Sequence, residues 1–402
     1  WVDLHGDGLP GVLTEASSGW WYSRNLGGGR FAAPVALAER PSTRLNAMAL
    51  GDEDQDGNTD LATLVGRGAG RYQLDRERQT WSGYQARTRT AHVEGIAPRV
   101  QRVDLDGDGR PDLVISEADH FLWYPSDAPE GLGEPRRIPK PRTGTARELR
   151  PDPALDLLFA DMNGDGLPDL VRIENGRVEY WPNLGNGRFG DAVVIDDAPT
   201  FTRRDAFDIR RLRLADLTGN GCPDLLYLDG DELRWWHNLG GNRLRFGGVR
   251  RGVPSLDGLT DLRVLELYGD GRPVLVWSSA APVAQGLAAL PLTGEVQPGR
   301  LLEIDDGSGL KVRVHWSTSG QHMLRDLLEG GAWSTHLPQH VPVVDRIELE
   351  DRLARTLTTT VLRYRDGQLD SEAREFRGFG CVDQLDVEVT TDDPLAPTGV
   401  PR

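Results

Sequence analysis

The sequence predicts an all-β chain: a β-propeller of about six four-stranded blades over residues 1–298, followed over 299–402 by part of a second β-rich domain. Three observations carry this. An acidic motif with central glycines recurs six times at a period near fifty residues. Short apolar and aromatic runs, each bounded by turn residues, recur in the same frame around it. That frame stops after about Pro298, where strands of a different spacing begin.

The motif reads DLHGDGLPG from Asp3, DEDQDGNTD from Asp52, DLDGDGRPD from Asp104, DMNGDGLPD from Asp161, DLTGNGCPD from Asp216 and ELYGDGRPV from Glu266. Its starts are separated by 49, 52, 57, 55 and 50 residues, the mark of a repeat architecture. The copy at Asp161 shows the frame. The apolar stretch LDLLFAD precedes it, DLVRI follows it, and ENG supplies a turn. The aromatic run RVEYWPN, the turn LGNG and the run RFGDAVVI complete the unit. Four short strands per fifty residues is the pattern of a propeller blade, which buries its faces only against neighbouring blades. The copy at Asp3 lacks most of its first strand. That leaves a seventh blade upstream open, and the chain is expected to be a piece of a longer protein.

Composition agrees. Forty-eight Gly and 26 Pro in 402 residues suit many short strands and turns. A formal net charge of −16 makes nucleic acid and anionic lipid poor partners. No apolar run approaches the roughly 20 residues that span a bilayer, so direct membrane insertion is not expected. Two cysteines, Cys222 and Cys381, exclude a disulfide scaffold, and neither carries a reactive role.

The aromatic run recurs as WWYSRNLGGGRF from Trp20, YWPNLGNGRF from Tyr180 and WWHNLGGNRLRF from Trp235, with FLWYPSD from Phe121 as a partial copy. Tryptophans could stack on sugars, but repetition in blade after blade is what packing demands. The run reads as blade core followed by a Gly-rich turn.

The motif itself places oxygen ligands at positions one, three, five and nine, with Gly at six. That set suits a hard cation such as Ca²⁺, which takes oxygen ligands with loose geometry. Position seven would lend its backbone carbonyl. The complete sets are Asp52, Asp54, Asp56 and Asp60; Asp104, Asp106, Asp108 and Asp112; and Asp161, Asn163, Asp165 and Asp169. A weaker set is Asp216, Asn220 and Asp224, where Thr218 and Asn220 replace acids. The copies at Asp3 and Glu266 carry His5 and Gly11, and Tyr268 and Val274, in ligand places and are not expected to hold calcium. Like charges about 4 Å apart repel by roughly 4 kcal/mol at an effective dielectric of 20, which favours a counter-ion. The competing reading is that Asp, Asn and Gly only build tight turns, with side chains capping backbone amides. In either case the loops staple blades rather than perform chemistry.

In the tail, LKVRVHW from Leu310 alternates with Val312, Val314 and Trp316 on one face. TLTTTVLRYRDGQLD from Thr356 is β-branched and is expected to turn at Asp366–Gly367, and EFRGFGCVDQLDVEV from Glu375 continues in the same style. GRLLEIDDGSGLKVRVHW, DRIELEDRL and above all REFRGFG (Arg374–Gly380) closely resemble the join in the B component of bacterial tripartite insecticidal toxin complexes and in SpvB-type virulence proteins. The repeats upstream resemble the FG-GAP/VCBS repeats of the same proteins.

The resemblance implies a secreted, extracellular toxin subunit. Its propeller would dock on and gate a pore-forming A component. The C-terminal region would begin an Rhs-like shell, completed with a C component, that encloses a toxic enzyme lying far downstream of this stretch. No enzyme is expected in this stretch: HExxH, GxSxG, Walker and dinucleotide motifs are all missing. His336 and His340 would suit zinc only on a helix, and Pro338 between them argues against one. The main alternative is a calcium-stabilised adhesion or glycan-binding propeller. A hydrolase using carboxylates near a central channel is a further one.

Overall fold

The structure, a computed structural model, describes residues 1–37, 41, 43–54, 58–63, 68–76, 78–81, 83–91, 100–117, 119–127, 131–141, 157–203, 206–257, 260–279, 287–294, 298–370 and 375–390. Strands dominate, and successive strands pair antiparallel with their neighbours in sequence.

Six such sheets follow one another, one for each motif copy. Blade 1 holds Val12–Ala16, Gly19–Ser23 and Val35–Ala36, with Val2 bridging Gly11 where other blades have a full strand before the motif. Blade 2 holds Ala49–Gly51, Asp60–Thr63 and Gly70–Asp75, edged by Thr80–Trp81 and Gln85–Ala86. Blade 3 is Val100–Val103, Asp112–Ser116, His120–Tyr124 and Arg136–Pro139. Blade 4 is Leu158–Ala160, Asp169–Glu174, Arg177–Trp181 and Val193–Val194. Blade 5 is Leu212–Ala215, Asp224–Asp229, Glu232–Asn238 and Leu244–Arg251. Blade 6 is Thr260–Glu266, Pro273–Ser279 and Leu287–Pro291. The expected fourth strand is therefore short in blade 4, where RFGDAVVI contributes only Val193–Val194, and is not seen among the described residues of blade 6.

In blades 4, 5 and 6 the strand after the motif is buried on both faces, because the blade is sandwiched between two others, whereas Val12–Ala16 of blade 1 is mostly exposed. Asp169–Ile173 and Asp224–Leu228 are buried throughout, which explains the run LLYL and the run LVRI, broken only by the ion-paired Arg172, where a one-sided sheet would alternate. Tryptophans fill the gaps: Trp20, Trp123 and Trp181 are fully buried, and Trp236 and Trp277 nearly so. They are core, as packing demands.

Every neighbouring pair of blades shares an apolar or ionic seam. Trp20 and Tyr22 of blade 1 cluster with Leu61 and Trp81 of blade 2. Between blades 2 and 3, Glu53 accepts from Arg102. Trp123 of blade 3 meets Leu170 and Trp181 of blade 4. Val171 and Tyr180 of blade 4 meet Leu225 and Trp236 of blade 5. Leu226 and Leu233 of blade 5 meet Leu275 and Trp277 of blade 6. Finally, Leu267, Val274 and Val276 of blade 6 pack against Trp1 and Phe31 of blade 1. The six sheets thus form a closed ring, and blade 6 packs directly on blade 1 without a seventh blade between them.

The tail is a five-stranded antiparallel sheet of Glu303–Asp305, Leu310–Thr318, Pro342–Asp351, Thr356–Asp370 and Glu375–Thr390. Two expectations are corrected here. Asp366–Gly367 is not the turn: Asp366 takes a positive φ of 53°, but the strand runs on to Asp370, which pairs with Glu375. The tail also contains a helix that strand-like spacing concealed, α1, Ser319–Leu328. Thr318 caps it by accepting from the Gln321 amide at 3.2 Å. Gly330, with φ 87°, follows its end.

Candidate functional site: the acidic loops and the ring seam

In five of the six motif copies the first acid bonds to the loop's own backbone. Asp161 accepts from the amides of Gly164, Asp165 and Gly166 at 2.7–3.1 Å. Asp3, Asp104, Asp216 and Glu266 each accept from two or more loop amides in the same way. The glycines at positions four and six take positive φ so that these amides can converge, as at Gly164 (80°) and Gly166 (89°).

The ninth acid is a buried strap. Asp112 accepts from Leu105 and Ser126 amides and from the Trp123 indole. Asp169 accepts from Met162 and Asn183 amides. Asp224 accepts from Leu217 and Asn238 amides and contacts His237 at 3.1 Å. Burial pushes Asp112 and Asp169 up to about 6 against the pull of those amides. The turn-building reading therefore describes positions one and nine, and a metal would have to share them.

The loops differ in what answers their remaining charge. In the Asp52 loop, oxygens of Asp52, Asp54 and Asp60 converge within 4.8 Å of one another. Arg71 reaches into that group, 2.5 Å from Asp54 and 3.3 Å from Asp60. Asp56 lies outside the described residues. In the Asp104 loop, Asp104, Asp106 and Asp108 converge within 4.8 Å, while Asp112 stands outside the group. Asp106 Oδ1 is buried with no hydrogen-bond partner among the described residues. Burial and then the charge of Asp108 push the Asp106 carboxyl up. In the Asp161 loop, Asn163 donates to Asp165 at 3.0 Å. In the Asp216 loop, the Asn220 amide nitrogen is spent on the Asn238 carbonyl at 3.0 Å. Neither of these two loops gathers three acids as the earlier ones do. In the Asp3 loop, Asp7 pairs with Arg24 at 3.0 Å, and in the Glu266 loop, Asp270 pairs with Arg272.

Sequence reasoning passed over the asparagine of the repeated Asn-Leu-Gly turn. Asn183 of blade 4 donates to the Leu105 carbonyl in the blade 3 loop at 2.9 Å. Asn238 of blade 5 donates to Met162 of the blade 4 loop at 2.9 Å. Asn25 of blade 1 donates to Leu267 of the blade 6 loop at 3.0 Å. The third bond closes the ring with the same joint used inside it. The recurrence of RN, PN and HN before LG was the available signal.

The tail docks on that last seam. Thr318 Oγ1 donates to the Gly269 carbonyl at 2.6 Å, and His340 contacts Glu266 and the Asp7 carbonyl. A Cβ at Gly27 would meet Leu324 of α1 at 2.3 Å, so that glycine gives the helix room to settle. A cavity of about 700 Å³ remains beside the seam, lined by Asp3, Asp52 and Arg76 from blades 1 and 2 and by Leu337 and Phe376 from the tail. His336 and His340 share no helix. Cys222 is buried between the loops of blades 4 and 5, where burial pushes its thiol up. Among the described residues, no helix is long and apolar enough to cross a membrane.

Residues 237–396 match the family described as the middle/N-terminal region of the insecticide toxin TcdB, and residues 161–227 match the FG-GAP-like repeat. No curated protein matches. Among solved structures, the Tc holotoxin pore of Photorhabdus luminescens is similar at 27% identity and a TM-score of 0.83, over 97% of this chain and 18% of that one. The TcdB2–TccC3–Cdc42 structure is similar at 27% identity and a TM-score of 0.67, over 97% of this chain and 19% of the other. The chain therefore spans about a fifth of those chains. An Agrocybe aegerita lectin that recognises terminal N-acetylglucosamine shares the fold at 18% identity and a TM-score of 0.51, over 96% of this chain and 91% of its own. By its repeats, its tail and a structural likeness that runs along nearly its whole length, the chain is similar to the TcdB component of insecticidal toxin complexes.

Proposed function

We propose that the chain is a non-catalytic part of a secreted toxin-complex B component. In this reading the ring over 1–298 docks on and gates a pore-forming A component. The sheet over 299–402 begins the shell that a C component completes around a toxic enzyme. One observation supports it most: the ring and the tail sheet match the Tc holotoxin pore as a single unit over 97% of the chain. The lectin aligns along 96% of the chain as well, but at a TM-score of 0.51 against 0.83, and the tail lies within the stretch that matches the insecticide toxin family. The tail packed on the blade 6–blade 1 seam fits a body that continues from the ring. The test is cosedimentation of the chain with the pore-forming component of a Tc complex. Stoichiometric capture is expected, and failure to bind, with capture on immobilised glycans instead, overturns the reading in favour of a lectin.

The acidic loops in this reading are staples. The Asp104 loop is the best calcium candidate, because it gathers three acids and leaves a buried Asp106 oxygen without a hydrogen-bond partner among the described residues. Calcium there would neutralise the clustered charge and lock the turn. Arg71 already serves that purpose in the Asp52 loop.

A further inference from the structure

His340 is buried, and its two ring nitrogens face two acceptors on different blades. Nδ1 meets the Glu266 carboxylate, and Nε2 lies 3.0 Å from the Asp7 carbonyl oxygen. Glu266 opens the blade 6 loop, Asp7 lies in the blade 1 loop, and His340 belongs to the tail. A neutral imidazole carries one N–H and would turn a lone pair on one of these oxygens. Only the imidazolium donates to both.

The pocket is shaped for this ring. A Cβ at Gly8 would meet His340 Nε2 at 2.8 Å, and one at Gly320 would meet the ring at 2.6 Å. Gly320 sits near the start of α1, where glycine is otherwise unfavourable. The charged groups that bear on the ring are Glu266 from blade 6 and Asp7 from blade 1, whose carboxylate is shared with Arg24. Gly320, the residue of α1 packed on the ring, brings no charge. Neither loop carries a complete cation-ligand set.

We propose that His340 is held as an imidazolium that staples the tail across the blade 6–blade 1 seam, making closure of the ring depend on protonation of the tail rather than on a metal. Burial alone would pull this imidazole down. The hydrogen bond and charge of Glu266, with the Asp7 carbonyl, outweigh burial and hold it above its ordinary value. The sign follows. The contribution is fully present below the unfolded histidine value of about 6.5 and is lost as pH rises through the folded value.

The test is a ¹⁵N-histidine NMR titration of the whole chain in EDTA. His340 should show both nitrogens protonated at pH 6.5 and lose its proton only above that. In parallel, hydrogen exchange at the seam amide of Gly28 should lose protection between pH 6 and 9, after correction for intrinsic rates. His340→Gln should flatten that dependence, and Glu266→Gln should move the His340 midpoint down. A neutral His340 tautomer at pH 6.5 in the wild-type chain overturns the proposal even if the variants fail to fold. So does seam protection that falls equally in wild type and His340→Gln.

Discussion

The side-chain amide of Asn25 donates to the carbonyl of Leu267, 242 positions away, at 3.0 Å. The equivalent bonds of Asn183 and Asn238 span only 78 and 76 positions. One joint therefore serves between consecutive blades and between the last blade and the first. Its energetics should be alike in both places. Asn183 is buried, donates to two carbonyls and accepts from the Gly185 amide. Asn183→Ala should cost about 1–3 kcal/mol, the penalty for buried groups left without partners. Thermal unfolding should fall by several degrees at roughly 2–4 °C per kcal/mol. Asn25→Ala should do the same, and an unchanged melting temperature would show the seam is not a true joint.

Arg71 should matter more than an ordinary ion pair, because it and Asp60 are both buried. Arg71→Met removes the guanidinium that Asp54 and Asp60 share. Removal of one partner from a buried pair costs about 3–5 kcal/mol. Calcium should restore part of that loss in the variant while barely affecting the same loop in the wild type. Denaturant unfolding in EGTA and in calcium checks both halves.

The Asp104 loop should behave in the opposite way. Calcium should raise the wild-type melting temperature, with magnesium far weaker, since one site at 100 times its dissociation constant contributes about 2.7 kcal/mol. Asp106→Asn should abolish most of that rise. A full rise retained in this variant would place the cation elsewhere.

Gly320→Ala tests the packing of the tail. In an exposed helix, Ala is favoured over Gly by about 1 kcal/mol. Here the new methyl would meet the His340 ring at 2.6 Å and the Gly269 carbonyl at 2.8 Å. The substitution should therefore destabilise the chain, as measured by urea unfolding.

His5 supplies a pH dependence of opposite sign to that of His340. Burial, and then the charge of Arg24, lower its pKa to about 4. The unfolded chain binds the proton near 6.5, so this contribution is present above that value and is lost as pH falls toward 4. Stability profiles between pH 4 and 7 should flatten in His5→Gln.

The ring was legible because its cause is periodic: six motifs, an aromatic run and apolar strands buried on both faces repeat wherever a blade meets two neighbours. The acidic loops were legible as turns that gather oxygen, yet which of them an arginine answers was not. Arg71 lies eleven positions from Asp60, and Arg24 seventeen from Asp7, so only pairing of strands brings them together. α1 was hidden by its setting among strands, although Thr318, the apolar pair Met323–Leu324 with Leu327, and Gly330 spell out a capped amphipathic helix. His340 could not be read at all, since its partners are 74 and 333 positions away.

The closed six-blade ring is the central claim, and native-state hydrogen exchange on the whole chain tests it most directly. The blade 1 turn around Gly28, whose amide donates to the Tyr268 carbonyl at 3.2 Å, should be protected like the blade 4 turn around Leu184. It should lose protection together with residues 266–276 when Asn25 is replaced by alanine. Free exchange over residues 1–31 in the wild-type chain, with blades 2 to 5 protected, would contradict the account.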